Sequence, residues 1–534
     1  DALVPYDAAS GFTAKALEEG VRFNLIVNDS DSDRRESAMG IATESFLSES
    51  AAAVPVIRFV KSSARLEIDF GAERGAIKPL HGVNNAPVRV TGKQGKQDEL
   101  KAAGIPFVRT HDTAYSFGGT HYVDIPNVFP DFDADETNPA NYDFAYTDAY
   151  LKPIVAAGCK LFYRLGVTIE NNWRVKAYNI FPPKDYAKWA RICEHVVRHY
   201  NEGWADGFRW NIEYWEIWNE PENPAMWQGT KEQFFDLYRV AANHLKTTFP
   251  QIKVGGYAGC GFYTVDDAKR REESAFYRSF VTWFEDFCRY VNAPETKAPL
   301  DFFSWHLYVS QEWPVDRIAT HAAYVRKTLD AAGLKDTENI FNEWNIFRSD
   351  RKDQFETCKT HVGAANVAAA FCLMQNTSID KAMYYDACPT RVYCGLFTFP
   401  GHRTTPCYEA FRAWNELAKL GTAYGVTCDE KGLYAAAAKN GNRRAFLVAN
   451  VGKEEMSITP NVGGGMFRIY RVDAEHAKLS DCGEWRSGAL SIPSNGFVLA
   501  LSGFALGDAP AVDRAPSSPA NGLDGSPRSR TAGR

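Results

Sequence analysis

The 534-residue chain predicts an α/β fold, a (β/α)8 barrel with an accessory antiparallel β-sandwich. Three observations predict it. Between residues 78 and 421 short apolar runs alternate with longer amphipathic stretches, and eight such runs can be counted, the pattern of parallel strands joined by crossover helices. Two of these runs stop at a glutamate, in Tyr-Trp-Glu-Ile-Trp-Asn-Glu-Pro-Glu (214–222) and Asn-Ile-Phe-Asn-Glu-Trp-Asn (339–345). Barrel strands deliver site residues to their C-terminal mouth in this way. Beyond the barrel region, residues 425–503 carry short alternating runs separated by Gly, Asn and Asp turns, which predict a small antiparallel sandwich.

The barrel strands are expected at 78–85, 107–112, 160–166, 214–221, 253–258, 302–308, 339–345 and 381–386. Aromatic and β-branched residues dominate them, as in strands buried on both faces. Helices are expected at 185–200, 231–249, 274–291, 316–332 and 353–375. In the first, Pro182-Pro183 and Asp185 precede a helical stripe of Trp189, Ile192, Cys193, Val196 and Val197. Sandwich strands are expected at 433–439, 444–450, 466–471 and 496–501, joined by one at 65–70 from before the barrel. The chain therefore divides into a partial β-domain or N-terminal extension (1–62), a strand joining the sandwich (63–77), the barrel (78–421), the sandwich (422–504) and a disordered tail (505–534). That tail holds Pro, Ser, Gly, Asp and Arg and little to bury. The opening stretch offers strands at 21–28 and 54–59 without partners enough for a core, which suggests a truncated domain.

A net charge of −6 gives no electrostatic footprint for nucleic acid, and no Lys/Arg run suggests an anionic membrane. No apolar stretch reaches membrane-span length, and no leader opens the chain; because Asp1 is not Met, an upstream signal or domain can be missing. The 11 cysteines show no paired zinc spacing, and Cys388, Cys394 and Cys407 lie close enough in sequence for one disulfide. Aromatics are plentiful, with 13 Trp, 25 Tyr and 34 Phe, and sugars stack their C–H faces on such rings, although most must be core.

Glu220 and Glu343 fall on the fourth and seventh strands and so reach one mouth. Paired carboxylates at strand ends are what glycoside hydrolysis requires, one protonated and one ionised, with neither metal nor cofactor. Asn84, Asn85, Arg109, His111, Asp112, His306, Tyr308 and Asp386 end other strands at the same mouth. Each alone has a structural reading as a satisfied core or loop residue.

The order Leu-His-Gly-Val-Asn-Asn, Val-Arg-Thr-His-Asp, Glu-Ile-Trp-Asn-Glu-Pro-Glu, Trp-His-Leu-Tyr and Asn-Glu-Trp-Asn, spanning about residues 78–503, resembles glycoside hydrolase family 39. That family of TIM-barrel enzymes holds β-xylosidases and α-L-iduronidases and belongs to a clan of retaining glycosidases. The resemblance implies that Glu220 is the general acid/base and Glu343 the nucleophile, an order the chemistry of two carboxylates could not supply by itself. It also implies that Asn219 bonds the sugar 2-hydroxyl, that His111 contacts the innermost sugar, and that His306 and Tyr308 stand beside the nucleophile. Asn85 and Trp344 are further substrate-binding candidates, as are Asp386 and Phe397 near strand eight. Arg109 could lower the nucleophile's pKa or form an internal salt bridge with Glu216; both readings stay open.

The substrate expected is an oligosaccharide or polysaccharide. Iduronidases carry a basic residue in the strand-six motif, whereas residues 306–309 offer none, which favours an uncharged, xyloside-like or arabinoside-like glycoside. Arg391 and Arg403 keep an acidic sugar open. Residues 21–59 resemble the end of a family 9 carbohydrate-binding module, which points to a secreted or periplasmic protein, with a cytoplasmic one as the alternative. A barrel that binds glycans without cleaving them is the non-enzymatic alternative, though it would have no reason to keep both glutamates.

Overall fold

The computed structural model describes residues 25–27, 37–39, 60–87, 95–111, 122–168, 179–310, 315–347 and 355–509. β1 (Leu25–Val27) and β2 (Ser37–Met39) pair antiparallel, with Leu25 opposite Met39. The expected strand at 54–59, Asp112 and residues 510–534 lie outside the described residues. β3 (Val60–Ala76) leads into the barrel and contains the strand expected at 65–70.

Eight parallel strands close the barrel in the order β10-β11-β4-β5-β6-β7-β8-β9. They are β4 (Gly82–Asn84), β5 (Phe107–Thr110), β6 (Lys160–Leu165), β7 (Tyr214–Ile217), β8 (Lys253–Gly259), β9 (Phe302–Ser310), β10 (Glu338–Phe347) and β11 (Lys381–Tyr384). Each falls within or on one of the eight runs expected from the sequence.

The helices form where caps and apolar stripes coincide. Asp185 caps Tyr186–Asn201 by accepting from the Lys188 N–H, and Thr230 with Gln233 builds a capping box for Lys231–Thr248. The helix expected from 353 instead begins at His361, because Thr360 is extended at φ −99° and ψ 175°. A helix over Pro406–Ala418 was not expected, although Thr405 as cap and Pro406 at the first helical position are its start signal.

Period-two alternation fills the barrel in layers. Phe107, Phe162, Tyr214, Phe302, Ile340 and Met383 form a wholly buried apolar plug. Two residues further along the same strands stand Arg109, Arg164, Glu216, Ser304 and Asn342, all buried, which make a polar layer directly above it.

β12 (Thr422–Cys428), β13 (Leu433–Asn440), β14 (Arg443–Asn450), β15 (Glu455–Asn461), β16 (Phe467–Val472), β17 (Ser480–Trp485), β18 (Leu490–Ile492) and β19 (Gly496–Ser502) build the accessory domain with β3. They form one nine-stranded sheet ordered β17-β16-β19-β14-β13-β12-β3-β15-β18. Its pairs are antiparallel except β3 with β15, a parallel pair that arises because β3 enters from before the barrel. Alternation gives β14 two apolar faces: Phe446 and Val448 join the sheet's own core, while Ala445, Leu447 and Ala449 join the barrel's. Between barrel and sheet lies His361–Gln375, apolar all round, with Phe371 against Trp344 and the Cys372 thiol against the Leu447 carbonyl. All 11 cysteines are free, so the disulfide entertained for Cys388, Cys394 and Cys407 is absent; Cys394 and Cys407 are instead wholly buried thiols. Among the described residues no helix is long and apolar enough to cross a membrane.

Candidate active site

The polar layer sets the site. Arg109 on β5 is wholly buried and spends its guanidinium on four partners: Glu216 at 2.7 Å, Glu343 at 2.9 Å, the Asn84 side-chain oxygen at 3.0 Å and that of Asn219 at 2.6 Å. The salt bridge with Glu216 and the contact with Glu343 therefore coexist. Glu216 is held on its other oxygen by Ser304 Oγ at 2.6 Å and Asn342 Nδ2 at 2.5 Å. Desolvation works against the Arg109 charge, but Glu216 and Glu343 outweigh it and raise its pKa.

Glu343 reaches this layer through a change of register on β10. Between Phe341 and Glu343 the pairing with β9 shifts, so that Asn342 and Glu343, neighbours in sequence, both face the barrel interior. The Tyr308 hydroxyl donates to Glu343 Oε1 at 2.6 Å, and Arg109 donates to Oε2. Trp344 then turns outward.

Glu220 lies beyond the end of β7, at φ +47°, after Trp218 at φ +73°. Its amide donates to the Ala258 carbonyl at 3.0 Å, and Trp218 is anchored by its indole N–H to the Met226 carbonyl in the turns after β7. These left-handed conformations redirect the chain so that Glu220 turns back over the barrel axis. His306 Nδ1 is 2.7 Å from Glu220 Oε1, and its Nε2 is 3.6 Å from Glu343 Oε2. Burial would raise the Glu220 pKa, but the His306 bond and charge, with Arg109 behind, hold it below the usual carboxylate range. Passing the shared proton from His306 to Glu220, with the pair's proton count unchanged, turns the same short contact into a Glu220 O–H donated to the imidazole, the form that burial favours.

Glu220, His306 and Glu343 each place one ligand-type atom within 4.8 Å of the others, and no second such group of His, Cys, Asp or Glu occurs among the described residues. Two donors already occupy the oxygens of Glu343, and the Arg109 cation lies against one of them, so the group suits a carboxylate pair better than a metal ion.

Asn85 donates to Asp386 Oδ2 at 3.2 Å, and burial, with the Glu343 charge adding, pushes the Asp386 carboxyl up to about 8 despite that bond. His111 is buried at the end of β5, its carbonyl accepting from Arg164 at 2.9 Å. Two expected substrate contacts are corrected. Trp344 is wholly buried among Phe341, Phe371 and Tyr384, because the register change that turns Glu343 inward turns Trp344 toward the helices. Phe397 is wholly buried against Tyr408, since its strand-like bridge to Thr404 folds it under the loop after β11. Arg391 and Arg403 are exposed on that loop.

Some functional neighbours escaped the sequence. Asn342 and Ser304 hold Glu216, and Asp124 receives a buried 2.5 Å ion pair from Arg164. Stepping by two from Phe162, Phe302 and Ile340 would have found Arg164, Ser304 and Asn342. Glu222 had no such signal: it is buried, accepts from the Cys260 amide at 2.6 Å, and burial followed by the Glu220 charge raises its pKa well above the usual range.

A model of the glycosyl hydrolases family 39 matches residues 98–366, just over half of the chain. The chain is 30% identical over 182 residues to a beta-xylosidase of Geobacillus stearothermophilus, covering 32% of this chain and 31% of that protein. It is 29% identical over 91 residues to an alpha-1,4-L-rhamnosidase of Formosa agariphila, covering 17% of this chain and 18% of that protein. These alignments span at most about a third of the curated relatives' length. Among solved structures, a glucosidase from Croceicoccus marinus superposes with a TM-score of 0.65 at 22% identity over 83% of this chain and 100% of that one, a likeness of fold. With the matched segment carrying β5 to β10 and both glutamates, the chain belongs to the glycosyl hydrolases family 39.

Proposed function

We propose that the protein is a retaining glycosidase, exo-acting and β-xylosidase-like, that cleaves uncharged plant-type oligosaccharides by double displacement. The observation that carries this reading is the carboxylate pair itself. One oxygen of Glu220 and one of Glu343 lie within 4.8 Å at a single mouth. Retaining enzymes hold their carboxyl groups roughly 5–5.5 Å apart, whereas inverting enzymes need roughly 6.5–9.5 Å to admit a water.

Glu220 gives its proton to the leaving oxygen as a Glu343 oxygen attacks the anomeric carbon, and the glycosidic bond breaks. A glycosyl ester on Glu343 results. Water then attacks that carbon while Glu220 takes its proton, the ester bond breaks, and Glu343 leaves as carboxylate. Arg109 and Tyr308 offer the ionised Glu343 one donor on each oxygen and can receive its charge back in the second step. His306 sits on the Glu220 proton path. The Arg109 bond to Asn219 Oδ1 orients that amide so that its NH2 remains to donate to a sugar 2-hydroxyl. His111, Asn85 and Asp386 supply further contacts to the bound sugar. A neutral sugar suits this mouth, because no Lys or Arg stands within residues 306–309.

A secreted or periplasmic setting, with residues 21–59 as a sugar-binding segment, belongs to the same proposal and is tested by cell fractionation and by pull-down on insoluble xylan with and without that segment.

The deciding experiment is a panel of aryl glycosides (β-xyloside, α-arabinoside, β-glucoside, β-galactoside and α-iduronide) with the Glu343→Gln variant as control. Hydrolysis of the β-xyloside, abolished in the variant, is expected. Turnover of another sugar alone would overturn the xyloside assignment, and equal turnover by Glu343→Gln would overturn the mechanism.

A further inference from the structure

The connection after β8 carries aromatic residues that none of the steps above uses. Tyr263 follows the end of β8, its hydroxyl accepting from the Tyr308 N–H at 3.3 Å, and Tyr308 in turn holds Glu343. From Tyr263 the rings continue outward. Tyr277 meets it edge-on at 5.6 Å, and Phe276 lies 5.4 Å from Tyr277. The Arg270 guanidinium lies over both tyrosines, 5.3 and 4.8 Å from their centroids. Phe280, buried below, anchors Phe276 at 4.7 Å.

Phe276 is 47% exposed on the first turn of Ala275–Asn292. A lone exposed ring needs no explanation. This one ends a continuous path that starts at the candidate site, and its centroid steps are on the scale of consecutive sugar rings. The direction of the path is informative. β8 neighbours β7, which leads to Glu220, and the Glu220 amide donates to the Ala258 carbonyl near the end of β8. The proton donor defines the leaving-group side, so the path runs away from the cleaved bond along the departing part of the substrate. Segment 266–278 carries four acids (Asp266, Asp267, Glu272 and Glu273) and four bases (Lys269, Arg270, Arg271 and Arg278), which sum to no net charge and select no charged ligand.

We propose that Tyr277, Phe276 and Arg270 form a leaving-group platform that binds the second and later sugars of a neutral oligosaccharide, the rings by C–H stacking and the guanidinium by donating to hydroxyls. This rests on the glycosidase reading above. It makes the enzyme prefer short chains to simple glycosides, with the terminal sugar in the mouth and the rest laid along the helix that begins at Ala275.

The test compares an aryl β-xyloside with xylobiose, xylotriose and xylotetraose in the full chain and in Phe276→Ala, Tyr277→Ala and Phe276→Trp. Loss of the outer ring in Phe276→Ala should lower kcat/KM for xylotriose and xylotetraose by about 3- to 10-fold and leave the aryl glycoside, whose single leaving ring reaches no further than Tyr277, within about twofold; Tyr277→Ala should lower both, and Phe276→Trp should keep the preference for longer chains. Xylotetraose binding to Glu343→Gln, with and without Phe276→Ala, is read by calorimetry independently of turnover. Aryl xyloside cleavage with no change in chain-length preference or binding on Phe276→Ala would overturn the platform alone. No cleavage of any aryl glycoside, with xylotetraose binding that weakens on Phe276→Ala, would overturn the catalytic reading and keep the platform. No binding of xylotetraose would overturn the platform.

Discussion

Replacing Arg109 by Met tests the centre of the site, because this one side chain neutralises two buried acids. Its Nε is 2.7 Å from Glu216 and its Nη1 2.9 Å from Glu343, with side-chain exposures of 0% for Arg109 and Glu216 and 8% for Glu343. The exposures decide the magnitude: a surface pair would be worth under about 1 kcal/mol, whereas removing one partner of a buried pair costs about 3–5 kcal/mol. Met fills much of the aliphatic volume, so most of the loss is electrostatic. For a cooperative unit of about 400 residues, at about 2.1 cal/mol/K per residue, the expected drop in Tm is roughly 4–6 °C. Adding Glu216→Gln removes one of the stranded charges and should recover part of that drop, since Ser304 and Asn342 can still bond the amide oxygen. Activity should not return with it, because Glu343 and Asn219 still lack their donor. Differential scanning fluorimetry and aryl glycoside turnover on the single and double variants make the comparison. Unchanged stability in Arg109→Met, or an additive further loss in the double variant, would refute the picture of one cation serving two buried carboxylates.

Four further outcomes are expected. Asp386, raised to about 8 by burial and by Glu343, binds a proton in the folded state that the unfolded chain has already lost above about pH 4. Stability from this group is therefore full below that pH and falls as pH rises toward 8, at about 1.4 kcal/mol per pH unit, and Asp386→Asn should flatten this part of a urea-denaturation series between pH 5 and 8. Tyr308→Phe removes the 2.6 Å donor to Glu343 and should cut kcat/KM by about 10- to 100-fold with the fold intact; an unchanged rate would dismiss the contact. Glu222→Leu strands the Cys260 amide and should cost about 1–3 kcal/mol, while Glu222→Gln, which can still accept that bond, should cost less; equal losses in urea titrations would count against the bond. A thiol reagent should modify the exposed Cys482 fast and the half-buried Cys388 and Cys428 more slowly, with all 11 reacting after unfolding; a total of nine would reveal a disulfide.

Residue patterns alone determined the barrel, its eight strands and the two glutamates, because strands buried on both faces must be apolar runs and site residues must follow them. The same alternation was enough to put Glu216 inside, and the cap at Asp185 fixed where one helix begins. What only the tertiary structure decided depends on departures from regular geometry and on side chains meeting across the barrel. The shift at Phe341 to Glu343 turns two successive residues inward and sends Trp344 to the helices, which no strict period of two can express. Positive φ at Trp218 and Glu220 swings the acid back over the axis, a conformation that non-glycine residues adopt only when their surroundings impose it. Arg109 had two readings in sequence, nucleophile partner or partner of Glu216, and the closed barrel brings both carboxylates to one guanidinium, because strands remote in sequence become neighbours across its interior.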